Sequence, residues 1–294
     1  MTRLILVLTC SILVGQKEPP TPLALAPGVR IERDVVYRRV GGADLKLDLY
    51  LPPGEGLRPA ALYIHGGGWH GGDKMTGPDI LDLPAVVARG YVVAAINYRH
   101  APRHTFPAQI EDARAAFSFL RARAADYRID PERIGAWGMS AGGHLASLLA
   151  LAPPGAWLGD APGSPGRTIR VRAVVDMCGP ADLAADDLTP RTAEIIGRVF
   201  GGYPDGLRLG SLVTHVTKDA PPFLIIHGDR DQTVPLSQSE NFYRRLKAAG
   251  VEAKMITVRH ATHVFEPSGG AMSPARAEIS KAVADFFDRH LKGR

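Results

Sequence analysis

Ser140 stands in Gly138-Met139-Ser140-Ala141-Gly142, between an apolar run, Arg133–Trp137, and a helix-like run that opens at His144. A G-x-S-x-G pattern at a strand-to-helix junction reads as a nucleophile elbow. The strained turn lifts the hydroxyl above the sheet, and the flanking glycines are needed where a Cβ would strike neighbouring elements. In a chain with 32 glycines the pattern alone is weak. A second stretch gives it weight. His65-Gly66-Gly67-Gly68-Trp69 follows another apolar run, Ala60–Ile64, and a glycine loop there can turn backbone amides toward a developing oxyanion. The expected donors are the N–H groups of Gly67, Gly68 and Ala141. Trp69 reads as a packing anchor for this loop. Together the two motifs point to acyl transfer by a serine nucleophile.

A serine hydroxyl is almost fully protonated at neutral pH, so it needs a base within hydrogen-bond reach and an acid that fixes the tautomer of that base. Two loops offer them. One is His227-Gly228-Asp229-Arg230-Asp231, after the apolar run Phe223–Ile226; the other is His260-Ala261-Thr262-His263-Val264-Phe265, after Ala253–Val258. Asp229 follows its strand almost directly and is expected to cap the turn, whereas Asp231 lies where the loop can curl toward the serine. His263 sits deeper in its loop than His260, and Val264-Phe265 can fasten it down. The favoured set is therefore Ser140, Asp231 and His263, with Asp229 and His260 as alternatives. Glu266 is too near His263 in sequence to serve as the acid. His227, His144 and His290 read as a strand-end packing residue, an elbow-helix residue and a charge facing a helix C-terminus. His65, His70 and Asp73 lack an HExxH pattern or a cysteine pair, and Gly66–Gly68 lacks a P-loop lysine, so neither a metal nor a cofactor is expected.

The elements that must position these residues alternate. Strands are expected at Val35–Val40, Leu45–Leu51, Ala60–Ile64, Tyr91–Ile96, Arg133–Trp137, Val171–Met177, Phe223–Ile226 and Ala253–Val258. Helices are expected at Asp79–Arg89, Ala108–Tyr127, Gly143–Leu151, Thr192–Val199, Leu236–Ala249 and Pro274–Leu291. Gly41-Gly42 turns the first strand into the second, and Leu45, Leu47, Leu49 and Leu51 alternate with polar residues as in a half-buried strand. The later strands are short continuous apolar runs, the pattern of buried parallel strands. The fold class is α/β: a mostly parallel sheet with helices on both faces. Two segments, Pro153–Arg170 and Asp182–Val216, break the rhythm, and either can wall a substrate pocket.

The 294 residues, 45% hydrophobic, suit a single domain with a substantial core, and a net charge of +5 without a basic stripe argues against a nucleic-acid partner. Leu4–Val14 after Arg3 has the length of a signal-peptide core and is too short to span a membrane. Prolines at 19, 20, 22 and 27 follow it. Residues 1–26 are thus expected to be a signal peptide and Pro-rich linker, and 27–294 the single domain, of a secreted or periplasmic protein with no membrane span in its mature form. Cleavage would leave Cys178 alone, with no intrachain disulfide.

Several stretches together resemble the feruloyl- and acetyl-xylan-esterase-like (BD-FAE type) group of α/β-hydrolases, close to the hormone-sensitive-lipase-like esterases. They are His65–Trp69 with Gly72-Asp73-Lys74, Asn97-Tyr98-Arg99, Phe106–Asp112, Gly138–His144 and His227–Asp231. The resemblance runs from about Val35 to the C-terminus. It implies the α/β-hydrolase fold and the triad of Ser140, Asp231 and His263, with Thr262 where such chains usually carry glycine. Arg99, Asp112 and Asp73 match positions read as structural. The residues before Ala60 are taken up by two strands, so no large cap is expected. An open site suits a short-chain acyl ester, as a small molecule or on a polysaccharide such as an acetylated or feruloylated carbohydrate. An arylformamidase, amidase or small peptidase would use the same triad, and a non-catalytic hydrolase-like binding protein is the remote alternative.

Overall fold

The computed structural model describes residues 23–75, 82–153 and 169–292. The expected leader and most of the Pro153–Arg170 segment lie outside the described residues. Eight strands form one sheet: β1 (Arg30–Val40), β2 (Ala43–Leu51), β3 (Arg58–Ile64), β4 (Val92–Ile96), β5 (Ile129–Met139), β6 (Val174–Met177), β7 (Phe223–Gly228) and β8 (Ala253–Val258). Their order is β1-β2-β4-β3-β5-β6-β7-β8. β1, β2 and β4 pair antiparallel, and every later pairing is parallel. This is the α/β-hydrolase arrangement.

Period-two alternation divides the core between the two faces. Ala60, Leu62 and Ile64 of β3 pack with Phe223 and Ile225 of β7 on one face. Ala61 and Tyr63 pack with Leu224 and Ile226 on the other. The first face is covered by α2 (Ala108–Ala122), α3 (Ala141–Leu151), α4 (Pro190–Phe200) and α6 (Leu236–Ala248). The second is covered by α1 (Leu83–Ala88) and α7 (Arg276–Leu291). A five-residue helix, α5 (Gly206–Gly210), and a 3-10 turn at Leu212–Thr214 complete the Asp182–Val216 segment.

Three expectations shift. α2 ends at Ala122, because Asp126 and Tyr127 donate their N–H groups to Arg123 O and Arg128 enters the left-handed region (φ +54°). β5 is longer than its apolar stretch and carries Asp130–Arg133 at its start. The polar side of β2 is solvated only at its start: Asp44 is exposed and Lys46 half-buried, but Asp48 is fully buried, and its carboxylate faces Arg33 (3.1 Å) and Lys74 (3.3 Å). Arg99 and Asp112 form a two-pronged pair (2.8 and 3.0 Å) that Arg38 joins at 2.6 Å, tying the start of α2 to β1 and to the chain after β4. Asp73 accepts from Asn97 Nδ2 and from the Met75 N–H. These acids hold loops in place, as their reading as structural groups implies.

Candidate active site

Ser140 directly follows β5 and is the N-cap residue of α3, with φ +55° and ψ −124°, a strained conformation for a residue with a side chain. Packing dictates the turn. A Cβ on Gly138 would lie 2.2 Å from Ile64 O, and one on Gly142 would lie 2.0 Å from that atom and 2.7 Å from His65 O. Only glycine lets the elbow pass so close to the end of β3. The Ser140 N–H donates to Met177 O at 2.7 Å, which pins the elbow to β6 as well.

Ser140 Oγ–H donates to His263 Nε2 at 2.9 Å, and His263 Nδ1–H donates to Asp231 Oδ2 at 2.6 Å. An ionised carboxylate only accepts, so Nδ1 carries the proton and Nε2 is left to receive the serine's. Asp231 is saturated. Its Oδ1 accepts the N–H groups of Thr233 (2.8 Å) and Val234 (2.9 Å), and its Oδ2 also faces His227 Nε2 at 3.0 Å. Burial pushes the Asp231 carboxyl up, but the bonds from His227 and His263 more than offset it and hold the group well below the usual carboxylate range. The His263 loop is fastened by Phe265, which is buried in the second-face core. Thr262 closes the same loop, exchanging backbone bonds with Phe265 and Glu266.

The alternatives lie outside this hydrogen-bond chain. Asp229 Oδ1 accepts the His260 N–H at 2.6 Å, the turn-capping part expected of it. Glu266 is exposed. His65, His70 and Asp73 each make bonds within their own loops: His65 Nδ1–H donates to Gly66 O (2.7 Å) and His70 Nδ1–H to Gly68 O (2.9 Å), while His65 Nε2 is buried without a partner among the described residues. His144 is fully buried, donates from Nε2 to Gly210 O (2.8 Å) and meets Trp69 edge-on. Burial pushes the pKa values of both His65 and His144 down to about 4.

His227 needs more than its strand-end reading. Nε2 lies 3.0 Å from Val234 O as well as from Asp231, so it carries the proton, and Nδ1 accepts from Ser239 Oγ–H at 2.7 Å. Spacing gave no hint of this contact, because it depends on how β7, the Asp231 loop and α6 meet. Cys178, after β6, also borders the site, donating its thiol hydrogen to His263 O at 3.4 Å.

A cavity of about 580 Å³ opens over Ser140 and His263, bounded by Gly66–Trp69, by Thr189, Arg191, Thr192 and Ile195, and by Gln232–Val234. The Asp182–Val216 segment therefore supplies one wall through α4. In the glycine loop, Gly67 O accepts from the His70 and Gly71 N–H groups (3.1 Å each), and Gly66 O accepts from His65. In a trans peptide the C=O and the following N–H point opposite ways. The amides of Gly67 and Gly68 thus face away from those bonds, on residues that line the Ser140 cavity. Ala141 is the first residue of α3, immediately after Ser140. Trp69, at φ +58°, packs against Phe200 and His144 beneath the loop and also borders the cavity.

The BD-FAE family model matches residues 47–246. LipM of Mycobacterium tuberculosis, a probable carboxylic ester hydrolase, is 32% identical over 93% of this chain, which spans 65% of LipM's length. A truncated carbohydrate esterase from gut microbiota superposes with a TM-score of 0.74 at 29% identity, covering 90% of this chain and 97% of its own. Esterase 2 of Thermogutta terrifontis, solved after phosphonylation by sarin, gives a TM-score of 0.74 at 28% identity, covering 89% and 94%. The same esterase has also been solved with propionate and with butyrate bound.

Proposed function

Because the chain belongs to the BD-FAE family, we propose that it hydrolyses carboxylic esters with short acyl groups, including acetyl or feruloyl groups carried on carbohydrate. The reading rests on the continuous hydroxyl–imidazole–carboxylate chain at the floor of the cavity. Ser140 Oγ attacks the ester carbonyl while its proton passes to His263 Nε2. The carbonyl oxygen takes the negative charge and is held by the amides of Gly67, Gly68 and Ala141. Asp231 steadies the imidazolium without taking its proton. His263 then protonates the departing alkoxide, leaving the acyl group on Ser140. Water, deprotonated by His263, attacks the acyl-enzyme; collapse of the second tetrahedral intermediate frees the acid and returns the proton to Oγ.

The preference for short chains is supported by the cavity, whose roughly 580 Å³ must serve acyl and alcohol groups together. It is also supported by the propionate and butyrate held in the Thermogutta terrifontis enzyme. Carbohydrate as the alcohol is supported by the gut carbohydrate esterase. A nitrophenyl ester series tests the reading, with Ser140→Ala as the blank. The kcat/KM should be highest for acetyl to butyryl esters and fall by about ten carbons, a length that a cavity of about 580 Å³ shared with the alcohol does not hold. A maximum at decanoyl or beyond would contradict it.

A further inference from the structure

The polar side chains of the cavity wall divide into those already committed and those still available. Thr192 Oγ1–H donates to Thr233 O at 2.7 Å, and Thr189 Oγ1 accepts the Thr192 N–H while donating to Thr192 Oγ1 at 3.0 Å. These hydroxyls tie α4 to the Asp231 loop and have nothing left to donate to a substrate. The start of α4 is satisfied in the same way. Arg191 and Gln232 differ. Both are exposed, both line the cavity, and among the described residues neither side chain has an ion pair or hydrogen bond.

Among the described residues no acid lies within salt-bridge reach of Arg191. Glu194 pairs with Arg198 at 2.5 Å, and Asp187 accepts from Ser237 and from Gln238. No Asp or Glu lines the cavity among the described residues, and the Asp231 carboxylate is buried behind His263. Among the described residues Arg191 is, apart from histidines, the ionisable side chain on that lining, and no acid there pairs with it. A guanidinium in this position recognises a carboxylate with a planar, two-pronged fork, and the Gln232 amide supplies a further donor.

We propose that Arg191 and Gln232 form an anion subsite, which makes esters bearing a second, ionised carboxylate the preferred substrates. This rests on the reading of the protein as an ester hydrolase and adds the charge class of its substrate. The carboxylate belongs either to the alcohol, as in an acetylated hydroxy acid or uronic acid, or to the acyl group, as in a half-ester of a dicarboxylic acid. Both offer the same chemistry to Arg191.

Matched pairs of esters test the subsite. On the alcohol side, 4-acetoxybenzoate is compared with 4-acetoxybenzamide; on the acyl side, phenyl hydrogen adipate is compared with the corresponding amide. The readout is the anionic-to-neutral ratio of kcat/KM within each protein, after subtraction of spontaneous hydrolysis. In Arg191→Gln that ratio should fall about three- to tenfold on one arm, the size expected of a solvent-screened charge pair. Arg191→Lys should keep part of it. In the wild type the ratio should shrink as NaCl rises from about 20 to 500 mM. The arm that responds says which half of the ester carries the acid. A ratio unmoved by Arg191→Gln on both arms, with neutral esters still cleaved in a Ser140-dependent way, overturns the subsite and leaves ester hydrolysis standing. Loss of Ser140-dependent cleavage for every ester overturns both.

Discussion

At the scale of single residues, Asp231 is held between two imidazoles that do different work. In the proposed mechanism His263 passes protons to and from the serine, while His227 supplies a fixed N–H from the buried side. Removing that donor takes away one of the bonds that fix the Asp231 carboxylate against His263 Nδ1. His227→Leu should therefore lower kcat roughly ten- to a hundredfold with KM little changed, the worth of one bond to a charged group. His227→Gln, which restores an N–H, should recover part of the loss. An unchanged kcat in a folded His227→Leu protein would reduce His227 to packing. The neighbouring loop offers a sharper contrast. His263→Ala should cost about a thousandfold or more in kcat, and His260→Ala far less, because Asp229 binds the backbone N–H of His260 and not its ring.

Among the elements, alternation and apolar runs sufficed to identify every strand and six of the helices. They failed at ends set by contacts rather than by pattern. The helical apolar spacing of α2 continues to Tyr127, whose ring still packs against Phe119, yet the chain has already turned at Arg123. The elbow was legible because its glycines answer a local steric demand. The α4 segment was legible as a helix that could wall a pocket, but the ties that hold it there were not, since Thr189 and Thr192 acquire their meaning only when they meet Thr233 in the Asp231 loop. A pair of substitutions separates close approach from open space at two glycines. Gly142→Ala drives a Cβ into two backbone carbonyls and should destabilise the protein by about 1–3 kcal/mol or more while displacing Ser140. Gly197→Ala, inside α4 with nothing within 4 Å of the new methyl, should stabilise it by about 0.5–1 kcal/mol. Denaturant midpoints read both; equal shifts would contradict the close-approach account.

Over the whole molecule, the fold buries several histidines in their neutral form. Burial holds His65 and His144 at about 4 against an ordinary 6.5, and His100, His215 and His290 are also lowered, mainly by burial. The unfolded chain binds protons at these sites before the folded one does. Stability is therefore full above about 6.5 and falls as pH drops toward 4. Asp176 runs the other way: burial raises it despite the Ser147 and Gly179 bonds, so its contribution favours the acid side of the carboxylate range. With several histidines opposing one carboxyl, the urea midpoint should be lower at pH 5 than at pH 7.5. An equal or higher midpoint at pH 5 would mean that the buried imidazoles do not control acid stability.

If Ser140, activated by His263, is the nucleophile, an organophosphonate ester probe followed by peptide mapping will locate it. A single covalent adduct on Ser140 is expected, with activity lost in proportion to labelling and labelling that slows sharply in His263→Ala. An adduct on another residue, or full esterase activity in Ser140→Ala, would contradict it.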